Sequence, residues 1–158
     1  MPQIIAVGEA LVEIMRPDKG TPLDQAGLFE GPFASGAPAI FAVAAARLGM
    51  DVGFIGTVGS DGFGRLVGRR LAQEGADISQ LHEISDYTTG IAFIAYAADG
   101  GREFVFHLRQ SAAAVLAADQ LDTRYFADVK WLHISGSALF LSQTSRDACA
   151  GALSLTKK

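Results

Sequence analysis

Apolar residues in this chain come in short blocks separated by glycine, proline and charged residues, and the spacing within each block predicts an element. Residues 3–8, QIIAVG, form a β-branched run ending in glycine, the pattern of a buried strand. From Leu11 to Met15 the chain stays extended, with Leu11, Glu13 and Met15 on one face and Val12 and Ile14 on the other. Residues 16–35 are rich in proline and glycine and predict loop, with Gly27–Phe33 as an edge piece. Pro38–Met50 predicts a helix. Pro38 falls where a missing N–H costs nothing, alanines favour helix, and Gly49 closes the end. Phe41, Ala45 and Leu48 would form its buried stripe. Asp51–Val58 predicts a strand, and Asp61 the N-cap of a helix from Phe63 to Glu74 ended by Gly75. Two strand–helix units in succession imply parallel strands with right-handed crossovers.

After residue 89 the rhythm changes. Gly90–Ala97 and Arg102–Leu108 predict two strands joined by Asp99-Gly100-Gly101, and an Asp-Gly step between β-rich runs signals a hairpin. Such a hairpin is expected outside the main sheet, as a flap. Residues 111–128 read as helix or loop. Residues 130–135, KWLHIS, predict another buried strand, and Thr144–Leu155 an alanine-rich amphipathic helix. A helix in this pattern normally returns to a further strand, so the sheet is expected to be only partly contained in these residues.

Composition narrows the classes. Hydrophobic residues make up 49% and charged residues 19%, which suits one packed domain over residues 1–158 and not a disordered tail. Acidic residues outnumber basic ones, 17 to 13, which argues against a nucleic-acid binder or a basic membrane-surface protein. The N-terminus lacks a basic start and carries Glu9 and Glu13, so it reads as neither signal peptide nor membrane span; a cytoplasmic location is expected. The single cysteine, Cys149, excludes an internal disulfide and a thiolate zinc cluster, and reads as a small buried hydrophobe. His82 and His133 lack partners at metal-ligand spacing, so no metal site is expected.

Four places carry candidate chemistry. The segment GTVGSDGFG, residues 56–64, either cradles a phosphate on free helix N–H groups or lets Asp61 cap a tightly packed helix. It is neither a Walker A loop nor a dinucleotide fingerprint, because the spacings fail. Ser35-Gly36-Ala37-Pro38 presents backbone donors at a helix start, which serve a polar ligand or merely begin a helix. Glu13 offers a carboxylate suited to sugar hydroxyls, or is a solvated strand position. At the hairpin end, Arg109 can fork onto a carboxylate or phosphate and His107 can donate to an oxygen, or both are ordinary surface residues.

Taken in order, five stretches resemble the N-terminal part of the ribokinase-like PfkB carbohydrate kinases. They are residues 7–14, VGEALVEI; Ser35-Gly36-Ala37-Pro38 with Ala46-Arg47-Leu48-Gly49; residues 56–64; Thr89-Gly90 through Asp99-Gly100 to Arg102; and His133-Ile134-Ser135-Gly136. The pattern is most similar to 2-keto-3-deoxygluconate, tagatose and fructose kinases. The resemblance implies an α/β three-layer sandwich with a mostly parallel central sheet, of which the N-terminal half is present. It also implies a small β-sheet lid from segments near 15–33 and 91–108.

The implied activity is ATP-dependent phosphorylation of a sugar or keto-sugar acid hydroxyl, with Mg2+ as cofactor. Glu13 matches a position where members place an Asp on sugar hydroxyls. Gly36, followed by Ala37, matches a glycine whose backbone approaches the sugar. Phe93 and His107 match lid positions over the substrate, and Arg109 an arginine of ketodeoxygluconate-type members. Two departures stand out: Ser35 replaces the first glycine of a Gly-Gly pair, and Ile40 replaces an Asn that binds sugar hydroxyls. The family's catalytic Asp lies in a Gly-Ala-Gly-Asp sequence, and that sequence does not occur in these residues. No catalytic residue is therefore expected here, the nucleotide site is expected in a C-terminal half, and this chain alone is expected to be inactive. The alternative is a non-catalytic sugar-binding or dimerisation module, and in either case a homodimer through the lid is expected.

Overall fold

The computed structural model describes residues 1–156. In chain order the elements are β1 (Ile4–Val7), β2 (Leu11–Met15), β3 (Glu30–Ser35), α1 (Ala37–Arg47), β4 (Val52–Gly59), α2 (Gly62–Gln73), β5 (Asp77–Ile84), β6 (Gly90–Tyr96), β7 (Arg102–His107), β8 (Trp131–Ile134), α3 (Gly136–Leu141) and α4 (Gln143–Thr156). Short 3-10 turns occupy much of the stretch between β7 and β8, which the sequence left open as helix or loop. Four parallel strands in the order β5–β4–β1–β8 make the central sheet. A second sheet, ordered β3–β2–β6–β7, is mixed: β2 and β6 run parallel, and the outer pairs are antiparallel.

Alternation along β1 divides the core. Ala6 faces one way, with Val52, Phe54 and Val58, onto Ala42 and Ala45 of α1 and Val67 and Leu71 of α2. Ile5 and Val7 face the other way, with Ile55, onto Ala138 of α3 and Ala148, Cys149 and Ala152 of α4. Successive strand residues point to opposite faces, so a strand apolar on both faces carries two helical layers. This is the expected three-layer sandwich. Burial pushes the Cys149 thiol up to about 11, so it packs as a hydrophobe at neutral pH.

Several expectations need correction. The buried face of α1 is Pro38, Ala39, Ala42 and Ala45, whereas Leu48 is 75% exposed. Phe41 is only partly buried, because its ring stacks on His133 at 3.9 Å between centroids. Small alanines let α1 approach the sheet closely, and larger side chains are displaced to its flanks. Residues 131–134 form a strand, yet it is not buried: β8 is an edge of the sheet and Trp131 is 62% exposed. Strand β5 and helix α3 went unpredicted. In β5 the sequence DISQLHEI lies at a sheet edge with mixed burial, so its apolar run is weak.

Asp61 ties the two sheets together. Its Oδ1 accepts from the Gly64 N–H at 2.8 Å, which caps α2, and from the Thr89 hydroxyl at 2.8 Å. Its Oδ2 accepts from the Thr89 N–H at 2.7 Å, and the Thr89 hydroxyl accepts in turn from the Gly59 N–H at 3.0 Å. The end of β4, the start of α2 and the entry to β6 thus share one carboxylate. A Cβ on Gly59 would lie 2.5 Å from the Tyr87 carbonyl, which is why the motif is glycine-rich. Asp61 takes the helix donor that a phosphate would need, so the packing alternative describes this motif. In the second sheet, Arg16 plays the same part for the loop after β2. It is buried, donates to the carbonyls of Pro22, Gln25 and Leu28, and stacks on Phe29 at 3.9 Å.

Burial pulls the Asp61 carboxyl up, but the bonds from Thr89, Gly64 and Phe63 together outweigh it and hold it below the ordinary value. Its contribution to stability is present above the unfolded-state pKa and is lost as pH falls through the folded one. Asp61→Ala should destabilise by roughly 2–4 kcal/mol, through loss of the cap and a stranded Thr89 donor. Thermal melts should show a Tm lower by roughly 5–15 °C. Asp61→Asn should also flatten the decline of wild-type stability below about pH 4.

Candidate functional site

The chain leaves β1 through Gly8-Glu9-Ala10 and crosses into the second sheet at Leu11. Gly8 has a φ of +144°, and a Cβ there would lie 2.7 Å from the Ala138 Cβ and 2.8 Å from the Pro38 Cγ. Gly36 has a φ of +110°, and a Cβ there would lie 2.5 Å from the Glu9 carbonyl oxygen. The starts of α1 and α3 therefore close on this turn from two sides. No side chain of its own caps α1. The Glu9 carboxylate lies beside that start: its Oε1 accepts from the Ser137 hydroxyl at 2.5 Å, and the nearby N–H groups of Glu9 and Ala37 favour its charged form. Burial pushes the Glu9 carboxyl above its ordinary range, and these bonds recover only part of the shift.

A cavity of about 390 Å³ opens between this turn and the second sheet. Glu9, Glu13, Ser35 and Ser137 bring polar groups to one side of a mainly apolar lining, beside Gly36, Ala37 and Ile40. Leu11, Ala92, Phe104, Phe106 and Leu108 close it from the sheet. Register explains the grouping: Glu13 lies beside Ala92, and Ala92 beside Phe106, so these side chains share one face. The Glu13 Oε1 accepts from the Ser35 hydroxyl at 2.7 Å. A second cavity of about 600 Å³ contains His107, Arg109, Gln110 and Phe140, and shares Phe106, Leu108 and Ser137 with the first. The two cavities adjoin along those shared residues.

The structure therefore brings Glu13, Gly36 and Ala37 to one cavity and Arg109 to the next, where His107 also lines the rim although its ring lies on the sheet face opposite Phe106. Phe93 is not with them. It pairs with Ile14 and Val105 on the opposite face of the sheet, where its ring meets Phe29 at 5.7 Å and His107 at 6.1 Å. Glu13 and Phe93 are adjacent in register terms but odd by one position, and a single step reverses the face. The missing side chain at Gly36 faces the Glu9 backbone and not the cavity, so this glycine serves the close approach of α1. Sequence reading singled out Ser35 within its candidate helix start but missed Glu9 and Ser137 as lining residues, and Phe104 with Phe106 as the roof. The Phe-x-Phe alternation in the hairpin was the available signal for the roof. Nothing local foretold that Ser137 would meet Glu9, 128 positions away.

Nucleotide and metal chemistry finds little support in these residues. No group of three or more His, Cys, Asp or Glu that could hold a metal ion occurs among the described residues. The two cavity carboxylates already accept from Ser35 and Ser137. The donors present do not fit a magnesium nucleotide.

A parallel sheet between helical layers, with a smaller mixed sheet folded over a cavity at its edge, defines a ribokinase-like α/β architecture. The pfkB family carbohydrate kinase model matches residues 1–158, and the chain belongs to that family. It is 33% identical over 156 residues to fructokinase-1 of Zea mays, covering 98% of this chain and 47% of that protein. It is 30% identical over 155 residues to a 5-dehydro-2-deoxygluconokinase of Shouchella clausii, covering 98% of this chain and 47% of that one. Among solved structures, a ribokinase II from E. coli superposes with a TM-score of 0.95 at 40% identity, covering 99% of this chain and 50% of its own. That protein has also been solved with ATP and Mg2+. The chain spans about half the length of the relatives it matches.

Gly36→Ala is expected to destabilise the chain by at least about 2 kcal/mol, because a side chain is strained at this φ and presses on backbone. Gly136→Ala, where a Cβ meets nothing within 4 Å, is the matched control and should be close to neutral. Urea unfolding of the two variants beside wild type measures the difference.

Proposed function

We propose that this chain is the sugar-binding and lid half of an ATP-dependent carbohydrate kinase, acting on a ketose or a keto-sugar acid. The observation that carries this is the make-up of the first cavity: two carboxylates and two serine hydroxyls on one side of a mainly apolar lining, two phenylalanines on the other. A sugar presents hydroxyl donors around its rim and C–H groups on its faces, and this lining matches both. Glu13 would accept from sugar hydroxyls, and Gly36 and Ala37 would bring backbone close to the ring. Phe104 and Phe106 would cover it and exclude water. ATP with Mg2+ would supply the phosphoryl group from a part of the enzyme outside these residues. The relatives' names support this class, since they include kinases of a neutral ketose and of a keto-deoxy acid.

Arg109 separates those two substrates. In the adjoining cavity its guanidinium suits a carboxylate, and a neutral ketose offers it no charge. A keto-sugar acid would then lie with hydroxyls at Glu13 and its carboxylate at Arg109. A second reading, a non-catalytic or dimerising module, draws support from β7, an edge strand exposed along its whole length. A homodimer through the lid belongs to either reading, as does a cytoplasmic location. No helix among the described residues is long and apolar enough to cross a membrane.

Calorimetric titration of the chain with D-fructose and with 2-keto-3-deoxygluconate tests the site. Arg109→Ala should weaken the acid on the order of 10- to 100-fold, the scale of one charged hydrogen bond, and leave the ketose nearly unchanged. Arg109→Lys should restore only part, because an ammonium lacks the planar fork. Equal losses for both ligands would make Arg109 a packing residue. The 158-residue chain by itself should release no ADP in a sugar-dependent assay, since general-base catalysis alone contributes typically ~10²–10⁴-fold and no Gly-Ala-Gly-Asp sequence is present. Sugar-dependent ADP release from it would overturn the division of labour proposed here.

A further inference from the structure

We propose that Glu9 is a substrate-binding residue whose carboxylate accepts a hydrogen bond from a sugar hydroxyl where the end of β1 meets the start of α3. It rests on the sugar-site reading above and adds a second carboxylate acceptor beside Glu13.

Position comes first. In the central sheet β1 has β4 on one side and β8 on the other, and the chain runs outward from β1 to β4 and β5 before returning to β8. The strand order therefore reverses between β1 and β8. In open parallel sheets, ligands bind outside the carboxyl ends of the strands at such a reversal. Glu9 follows the carboxyl end of β1, and Ser137 follows that of β8. Their 2.5 Å hydrogen bond spans that crevice, and both residues line the cavity.

An open valence is the second observation. Glu9 is only 3% exposed. Its Oε1 is held by Ser137, while its Oε2 is buried with no hydrogen-bond partner among the described residues. An ionised carboxylate accepts at both oxygens, and an orphaned buried acceptor costs free energy until a donor reaches it. The desolvation that pushes this carboxyl up has the same origin. Oε1 is filled by a hydroxyl donor, and a carboxylate oxygen can only accept, so the unfilled Oε2 also calls for a donor. A sugar hydroxyl supplies one from the cavity side. The helix-start backbone fixes Glu9 in place, so the contact costs little side-chain ordering when substrate binds.

The test is a binding cycle on the chain with D-fructose and its monodeoxy analogues, in wild type and Glu9→Gln. Glutamine keeps an oxygen for Ser137 but is uncharged and can place an amide donor at the open position. D-Fructose should bind Glu9→Gln on the order of 10- to 100-fold more weakly. One analogue, lacking the hydroxyl that meets Glu9, should bind wild type with a similar loss and bind Glu9→Gln with almost none further. If Glu9→Gln does not fold by circular dichroism, Glu9→Asp, one methylene shorter, takes its place with the same expected pattern. If every analogue loses the same factor in wild type and variant, Glu9 only braces α1 and the inference is overturned, while the sugar-site reading stands. If wild type binds neither D-fructose nor 2-keto-3-deoxygluconate, the sugar-site reading fails and the inference falls with it.

Discussion

Everything near the site depends on how closely backbone approaches backbone at the exit from β1. Gly8 and Gly36 both have positive φ, and each lies where a side chain would strike a neighbour at 2.5–2.8 Å. Between them runs Glu9, whose carbonyl lies against the start of α1 and whose carboxylate reaches α3 through Ser137. Close approach brings the polar floor together, because helix-start donors, a carboxylate and a serine cannot otherwise share so small a volume. It also desolvates Glu9, and the same burial raises its pKa and leaves one oxygen open.

The second sheet is held over this floor by separate anchors. Asp61 couples the end of β4 to the entry of β6 through Thr89, and Arg16 gathers the loop between β2 and β3 by its carbonyls. Both are buried or half-buried charged groups held by several hydrogen bonds each, three from the Arg16 guanidinium's terminal nitrogens, which makes them specific: a shifted register breaks those bonds. With those anchors fixed, the pairings Glu13 to Ala92 and Ala92 to Phe106 place acid and aromatic on the same face. Arg109 lies just past the end of β7, where strand geometry no longer dictates direction, and this is where the adjoining cavity opens.

Much of the fold was legible because local rules and tertiary needs agree. Alternation in residues 11–15, Pro38 at a helix start, Asp61 as a cap and the Asp99-Gly100 turn all appear as expected, since each depends on neighbours within a few residues. The family resemblance rested on those same stretches, and the match over residues 1–158 shows it. The weak elements were those with little apolar patterning, β5 and α3, whose stability comes from packing onto other parts of the chain.

By itself the sequence determined the strand–helix order, the lid hairpin, the glycine-rich helix cap and the family. Only the tertiary structure decided which face each lid residue presents. Phe93 and Phe104 are equally aromatic, but parallel pairing with β2 turns one away from the cavity and antiparallel pairing with β6 turns the other into it. Only the tertiary structure, likewise, joined Glu9 to Ser137 and moved the helix stripe from Phe41 and Leu48 to the alanines. The reason is range: capping, turn chemistry and alternation act over a few residues. Register between strands, close helix–sheet approach and the burial of a carboxylate are set by segments tens to more than a hundred positions apart, such as the 128 between Glu9 and Ser137.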